Sequence, residues 1–419
     1  MSAIIQNIRE RIRRKVNKVC KGSGKVEHKT MCDLMLGISS SRDVKLSNIG
    51  RSLHEETEIK YTIKRLSRNV IKYDYVDRIN GVMTKEVLND SQGTEIVIID
   101  ISDIRKNYGK KMEAISTVYD GSEKELCQGY EMLVSGVITK SRIIPTYIEA
   151  YSSKGKDYDT RWYKSKKLLD MLVAEKNRGK SIGTIVMDRG FDSQTYYKYM
   201  INKGLGFIVR LKLNRNIELL KKTMKVGESY EFMRKKEYLS EVIHNGKKKK
   251  TKIRIGYATI KLGSLDEPLT IVMIKSKLYA EPMYLITNKR CNSRESAKII
   301  YEKYLQRWGI ETLIRTLKEE YNIEDVRILK YKGIKNIISL AFFCLFLLSK
   351  IVYSIGHNTH FIKIYLLSKG RKIRKIGAFL YHAVSYAISV ELLADKKKIC
   401  FYPKIILKQP ELFNLKFFG

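Results

Sequence analysis

Two apolar runs of the same pattern constrain the fold more than any other feature of this sequence. Residues 95–100 (EIVIID) and 183–188 (GTIVMD) are short runs of β-branched and other apolar residues that each end in an aspartate. Runs of this length predict buried strands, which occur in sheets covered by helices. Because a helical pattern at 164–176 lies between them, we expect an α/β domain with a mixed sheet.

The chain divides into five regions by local composition. We expect a helical, basic region at 1–92, a first part of an α/β core at 93–212, a β-rich insertion at 213–282, a second part of the core at 283–330, and a helical C-terminal region at 331–419. The insertion carries four consecutive lysines at 247–250 next to Asn245-Gly246. Asn-Gly is a preferred hairpin turn, so this segment predicts a hairpin with a basic tip.

The net charge indicates a polyanionic partner. Lys plus Arg is 81 against 44 Asp plus Glu, a formal charge of +37. Such a charge repels itself in the compact state, and nucleic acid is the usual partner that offsets it. A generally basic surface without such a partner is the alternative. The six cysteines include no CxxC pair, which argues against a zinc knuckle and for free thiols in a reducing cytoplasm.

A candidate DNA-reading unit lies near the N-terminus. Segments 45–53 and 57–68 predict two short helices, and Ile59, Ile63 and Leu66 are spaced to share the buried face of the second. The basic side chains of that helix face elsewhere: Lys60, Lys64, Arg65 and Arg68. Two short helices of which the second is basic are typical of a helix-turn-helix. These four residues would then contact DNA; a plain solvated face is the alternative.

Two aspartates occupy positions suited to chemistry. Asp100 and Asp188 each end an apolar strand, where α/β sheets place functional groups. Two converging buried carboxylates repel each other unless a cation offsets their charge. Either residue alone could instead be a helix cap or a turn former.

A polar stripe occupies one side of a long helix predicted from about residue 293 to 321. Its members fall within a narrow arc of the helix: Tyr304, Arg307, Glu311 and Lys318. A solvent-facing row of ion pairs is the alternative, because Arg307 and Glu311 are four residues apart. Trp308, within the same segment, is expected to pack in the core, with a role as a wedge against a displaced base as the alternative.

Taken together, these motifs resemble the DDE transposases of bacterial insertion sequences, in the group typified by insertion sequence four. Residues 304–318 match its signature of Tyr, Arg, Glu and Lys separated by two, three and six residues. Residues 188–191 (DRGF) look like its second-aspartate motif and 100–104 (DISDI) like its first. Residues 283–288 (MYLITN) fit its last core strand. The resemblance covers about residues 94–328.

The resemblance implies a ribonuclease-H-like core with a β-strand insertion between the second aspartate and the glutamate. Asp100, Asp188 and Glu311 would be the catalytic residues and would bind Mg²⁺ or Mn²⁺. Asp103 is the alternative to Asp100 as first ligand, since it lies three residues further on. The residues that would hold DNA phosphates are Tyr304, Arg307, Lys318 and Arg189.

The function implied is metal-dependent cleavage at the ends of a DNA element and strand transfer into target DNA. The partners would be terminal inverted repeats and target DNA, bound by a homodimer in a synaptic complex, in the cytoplasm at the nucleoid. The alternatives are a stand-alone nuclease on the same core, a non-catalytic DNA-binding derivative, and a membrane-surface protein. The last alternative depends on the apolar run at 337–348, which is too short to span a bilayer and predicts a buried helix.

Overall fold

The computed structural model describes residues 3–353 and 380–396, apart from Ser122, Lys140, Ser141, Arg234, Asn245, Gly246 and Ser264. The predicted turn at Asn245-Gly246 therefore lies outside the described residues, as does Cys400. The other five cysteines are free, as the sequence predicts.

Five helices form the N-terminal region: α1 (Ala3–Val19), α2 (Lys25–Ser41), α3 (Leu46–Leu53), α4 (Ile59–Lys72) and α5 (Val76–Leu88). The predicted helix pair is present as α3 and α4, but its buried stripe is different. The buried residues of α4 are Thr62, Leu66 and Val70, whereas Ile59 is 41% exposed. The stripe is shifted because α4 packs against α2 and the helix Tyr331–Tyr353 as well as against α3.

Twelve strands follow among the described residues: β1 (Ile96–Arg105), β2 (Ser116–Asp120), β3 (Glu125–Thr139), β4 (Arg142–Tyr151), β5 (Thr184–Met187), β6 (Phe207–Arg210), β7 (Asn216–Leu219), β8 (Lys222–Lys225), β9 (Lys235–His244), β10 (Lys247–Ile260), β11 (Leu269–Ser276) and β12 (Met283–Thr287). Ten of them form one sheet in the order β2-β3-β1-β5-β6-β12-β11-β10-β9, with β4 also paired to β3. Strands β7 and β8 form a separate hairpin.

The sheet is mixed, as the sequence predicts. Strands β1, β5 and β6 run parallel to one another, while β3, β4 and β12 pair antiparallel to their neighbours. Helices α6 (Arg161–Asn177) and α7 (Gln194–Asn202) connect β4 to β5 and β5 to β6. Parallel neighbours need such crossovers. Three strands of the predicted β-rich insertion, β9 to β11, extend this sheet beyond β12.

The sequence analysis did not predict strand β4, which contains a proline. Pro145 pairs with Gly136 of β3 directly after a shift of register between Ser135 and Gly136. Proline cannot donate to a strand ladder and is tolerated at such irregularities. Thr146 of β4, next to the proline, is not paired with β3, so the proline is accommodated beside a bulge in β4 itself, which is visible only once the two strands are paired.

Within the described residues the remaining α-helices are α8 (Arg294–Leu305), α9 (Gly309–Glu320), α10 (Tyr331–Tyr353) and α11 (Leu380–Lys396). The apolar run at 337–348 lies in α10, which packs against β4, the N-terminal helices and α11. By length and composition the span Tyr331–Val352 could cross a membrane, but 89% of its most apolar window is buried inside the protein. Helix α10 is thus the buried core helix that the sequence predicts.

Candidate active site

Asp100 and Asp188 lie side by side at one edge of the parallel strands. The parallel ladder between β1 and β5 ends with the pair Ile99 and Met187, and these two aspartates come directly after it. The sequence analysis expected strand β1 to end at Asp100, but the strand continues past this residue. It continues to Arg105 because its other neighbour, β3, pairs with it that far.

We expected one uninterrupted helix to carry Glu311, but the segment is divided into two helices. Helices α8 and α9 are joined by a 3-10 turn, Gln306–Trp308, in which no residue is buried. At its end Gly309 lies close to the sheet, where an added Cβ would be 3.2 Å from Cδ1 of Ile138. Trp308 is 37% exposed, so the expectation that it packs in the core is wrong.

Arg307 connects this turn to the strand edge. Its Nη1 donates to Oδ2 of Asp100 at 2.6 Å, and its Nη2 lies 3.6 Å from Oε1 of Glu311. The other oxygen of Asp100 accepts from the backbone N–H of Ile101 at 2.9 Å. One guanidinium therefore lies between two of the three candidate carboxylates.

The other two polar residues of the stripe also bind aspartates. The hydroxyl of Tyr304 donates to Oδ1 of Asp188 at 3.1 Å. Nζ of Lys318 lies 3.0 Å from Oδ2 of Asp103 and 3.0 Å from Oε1 of Glu324. The stripe is therefore not a solvent-facing row of ion pairs, because it faces the strands that carry the aspartates.

The electrostatics of the site favour an added cation. Burial raises the pKa of Asp100 to about 6; Arg307 opposes this and the charge of Asp188 adds to it. Burial also raises the pKa of Glu311, which Arg307 again opposes. Burial disfavours the charge of Arg307, but Asp100, Asp188 and Glu311, together with Tyr304, outweigh it and raise the pKa of the guanidinium. Positive charge between these carboxylates thus stabilises their ionised forms.

The donor set suits Mg²⁺ or Mn²⁺ in chemistry, since both prefer carboxylate oxygens. Within the described part of the chain, however, no three His, Cys, Asp or Glu side chains are grouped closely enough to hold one ion. Arg307 and Tyr304 already occupy oxygens of Asp100 and Asp188. A cation could bind all three acids only after these side chains had moved.

Two further cationic side chains lie next to Asp188. Arg210 follows Val209, which pairs with Met187, so Arg210 and Asp188 are neighbours at the same edge. Arg189 and Arg210 line a cavity of 380 Å³ together with Lys212. A cavity with this charge attracts phosphate groups. The sequence analysis selected Arg189 but missed Arg210, although it also ends a short apolar strand.

The sequence analysis also missed Asp192, which connects two loops next to this edge of the sheet. Its buried carboxylate accepts from the hydroxyl of Tyr197 at 2.8 Å and from the backbone N–H of Lys212 at 2.8 Å. It lies 2.6 Å from Nε of Arg215. The residue thereby joins the loop after β5 to the loop after β6. Its position four residues after Asp188 was the only available signal.

The four basic residues singled out on α4 lie away from this edge, in the N-terminal region, and differ from one another. Lys60, Lys64 and Arg68 are exposed. Arg65 instead donates to Oδ2 of Asp33 at 2.7 Å and to Oε1 of Glu55 at 2.6 Å. Its charge is therefore already matched within the protein.

A family model described as a transposase DDE domain matches residues 91–347, which is more than half of the chain. The chain belongs to the DDE transposase family. The matched part of this transposase begins just before β1 and ends within α10, so it contains the strand edge and the polar stripe. No curated protein matches the chain. Membership makes the protein an enzyme of DNA transposition, which binds DNA, and enzymes of this family generally use divalent metal ions.

Proposed function

We propose that this transposase cleaves DNA at the ends of its element and joins those ends to target DNA, with Asp100, Asp188 and Glu311 as catalytic metal ligands. One observation supports this most strongly. Asp100 and Asp188 are adjacent at the ends of paired parallel strands, and Arg307 links Asp100 to Glu311. The order of the Tyr, Arg, Glu and Lys residues on α8 and α9 supports placement in the group typified by insertion sequence four.

The proposed core is ribonuclease-H-like. The parallel strands β1, β5 and β6, flanked by antiparallel β3 and β4, support it. On this proposal the core comprises residues 93–212 and 283–330, with 213–282 as the insertion, 1–92 as the DNA-binding region and 331–419 as the C-terminal region.

Mg²⁺ or Mn²⁺ bound by the three acids would stabilise the attacking and leaving oxygens of an in-line phosphoryl transfer. The carboxylates of Asp100, Asp188 and Glu311 supply the oxygen ligands. Arg307 can bind a phosphate through two parallel N–H groups, and Lys318 can bind one as a point charge. No protein nucleophile is needed, because positioning and charge stabilisation drive such reactions.

DNA would be bound on two separate surfaces. Arg189 and Arg210 line the cavity beside Asp188 and would hold the strand that is cut. The exposed side chains of α4, Lys60, Lys64 and Arg68, would contact the terminal inverted repeats, while Arg65 supports the helix. We further propose a homodimer in a synaptic complex, in the cytoplasm at the nucleoid.

A cleavage assay tests the proposal. The purified protein, Mg²⁺ and a labelled duplex that carries the element end should give nicks at the 3′ end. Asp188→Ala or Glu311→Ala should reduce nicking at least about a thousandfold, since each removes a ligand. Glu319→Ala changes an exposed glutamate of the same helix and should cut normally.

If Asp188→Ala and Glu311→Ala cut at the wild-type rate, the assignment of the site is wrong. Nicking without any joining of the ends to a second DNA molecule would identify a stand-alone nuclease instead.

A further inference from the structure

Three residues implied to hold DNA phosphates share an unexpected property. Tyr304, Arg307 and Lys318 are each hydrogen-bonded to a different aspartate: Asp188, Asp100 and Asp103, respectively. All three contacts join the segment from α8 to α9 to the strand edge. The donors that would receive DNA are therefore engaged by carboxylates of the protein itself.

These contacts compete directly with a bound cation. Oδ2 of Asp100 is 2.6 Å from Nη1 of Arg307, and a Mg²⁺ ion would need its ligand oxygens at about 2.0–2.1 Å. An oxygen that faces a guanidinium at hydrogen-bond distance cannot also present the same lone pairs to a metal ion. The same argument applies to Oδ1 of Asp188, which accepts from Tyr304.

Arg307 is also incompletely satisfied where it lies. Its Nε is buried and has no hydrogen-bond partner, and a buried donor without a partner destabilises the arrangement that holds it. A position in which the guanidinium meets a phosphate could satisfy more of its donors. The contact with Asp100 is therefore one that a phosphate can replace.

We propose that Tyr304, Arg307 and Lys318 form a latch that closes over the aspartates and opens when DNA phosphates take over the three donors. This proposal rests on the proposed function, because it takes Asp100 and Asp188 as metal ligands. Opening of the latch frees the carboxylates, so DNA and the divalent cation bind cooperatively. By linkage, each increases the affinity for the other by the same factor. Asp103 is then a positioning residue that holds Lys318, and is not a ligand.

The first test measures Mn²⁺ affinity by titration calorimetry, with and without a duplex that carries the element end. We expect the duplex to tighten Mn²⁺ binding about tenfold. Arg307→Gln should bind Mn²⁺ about tenfold more tightly than the wild type without DNA, because its competing cation is gone, and should lose most of the enhancement by DNA. A residue that only binds phosphate would leave Mn²⁺ affinity without DNA unchanged.

The matched control is Arg290→Gln, which removes the same charge from an exposed position just before α8 and should change Mn²⁺ affinity little. The proposal is overturned if folded Arg307→Gln binds Mn²⁺ no more tightly than the wild type, or if the duplex does not alter Mn²⁺ affinity of the wild type. Circular dichroism verifies that the variant is folded.

A second variant tests the latch independently of Arg307. Asp103→Asn together with Glu324→Gln, which removes the other carboxylate that holds Lys318, should release Lys318, raise affinity for the duplex about fivefold and leave Mn²⁺ affinity no weaker. A fall in Mn²⁺ affinity would make Asp103 a ligand, and unchanged DNA affinity would remove Lys318 from the latch. A wild-type protein that cleaves DNA but whose Mn²⁺ affinity does not respond to the duplex would refute the latch alone, whereas wild-type cleavage by Asp188→Ala would refute the proposed function.

Discussion

The neighbours of Asp100 act on its pKa in opposite directions. Burial and the charge of Asp188 favour its protonated form, while Arg307 favours its ionised form, and the resulting pKa of about 6 lies well above the usual value of 3.8. The sequence supplied the residue types of this site and the spacing of Tyr304, Arg307 and Glu311. It could not supply the aspartate partners of Tyr304 and Arg307, because those pairs join residues more than a hundred positions apart.

The raised pKa of Asp100 predicts that Mn²⁺ affinity rises with pH. A proton competes with the cation for this carboxylate, so binding should strengthen from about pH 5 and level off above about pH 7, with a midpoint near 6. Calorimetric titration across this range measures the effect. Asp103→Asn should keep the profile and Asp100→Asn should lose it.

The same shift predicts the direction of a stability change. Because the pKa is higher in the folded protein than in the unfolded chain, the contribution of Asp100 to stability is present at acidic pH and is lost as pH rises through about 6. A Mn²⁺ affinity that does not vary between about pH 5 and pH 7 would contradict the raised pKa of Asp100, on which both expectations depend.

At the scale of elements, the helical segment from α8 to α9 was predicted with nearly the correct ends but without its 3-10 turn. Directly after the turn, Gly309 approaches Ile138 of β3. A local sequence pattern does not contain that approach, because it depends on where the sheet lies. Strand β4 was missed for a similar reason, since Pro145 is tolerated beside a bulge at Thr146, where β4 pairs irregularly with β3. Periodicity thus predicts elements and not the contacts that adjust them.

Gly309→Val should destabilise the protein. Its side chain would meet Ile138, since the Cβ alone would already be 3.2 Å from it. We expect a loss of about 2 kcal/mol in the free energy of unfolding, as for other overpacked positions, measured by urea denaturation. Gly81→Val is the matched control, because a Cβ there meets nothing within 4 Å. Equal effects of the two substitutions would argue against the close approach.

The basic residues of α4 should separate into two groups. Lys64→Ala and Arg68→Ala should weaken binding of the element end and each reduce the salt-dependence slope by about 1. Arg65→Ala should instead lower the free energy of unfolding by about 1 kcal/mol, because it breaks the contacts with Asp33 and Glu55. A salt slope lowered by Arg65→Ala but not by Lys64→Ala would reverse the assignment.

At the scale of the whole molecule, one continuous apolar core extends from Ile8 of α1 to Leu392 of α11. The N-terminal helices and the sheet therefore share a core through α10, although their sequences differ in character. The net charge of +37 destabilises this compact form unless phosphates offset it. The sequence predicted the mixed sheet, the buried helix and the polyanionic partner, because composition and periodicity determine these features directly.

The most direct test of the central claim replaces a proposed ligand by cysteine. Thiolates are poor ligands for Mg²⁺ and better ones for softer ions such as Mn²⁺. Asp188→Cys and Asp100→Cys should therefore lose DNA nicking in Mg²⁺ and recover it in Mn²⁺, whereas Asp103→Cys should still nick in Mg²⁺. Wild-type nicking in Mg²⁺ by Asp188→Cys, or loss of it by Asp103→Cys with recovery in Mn²⁺, would contradict the proposed site.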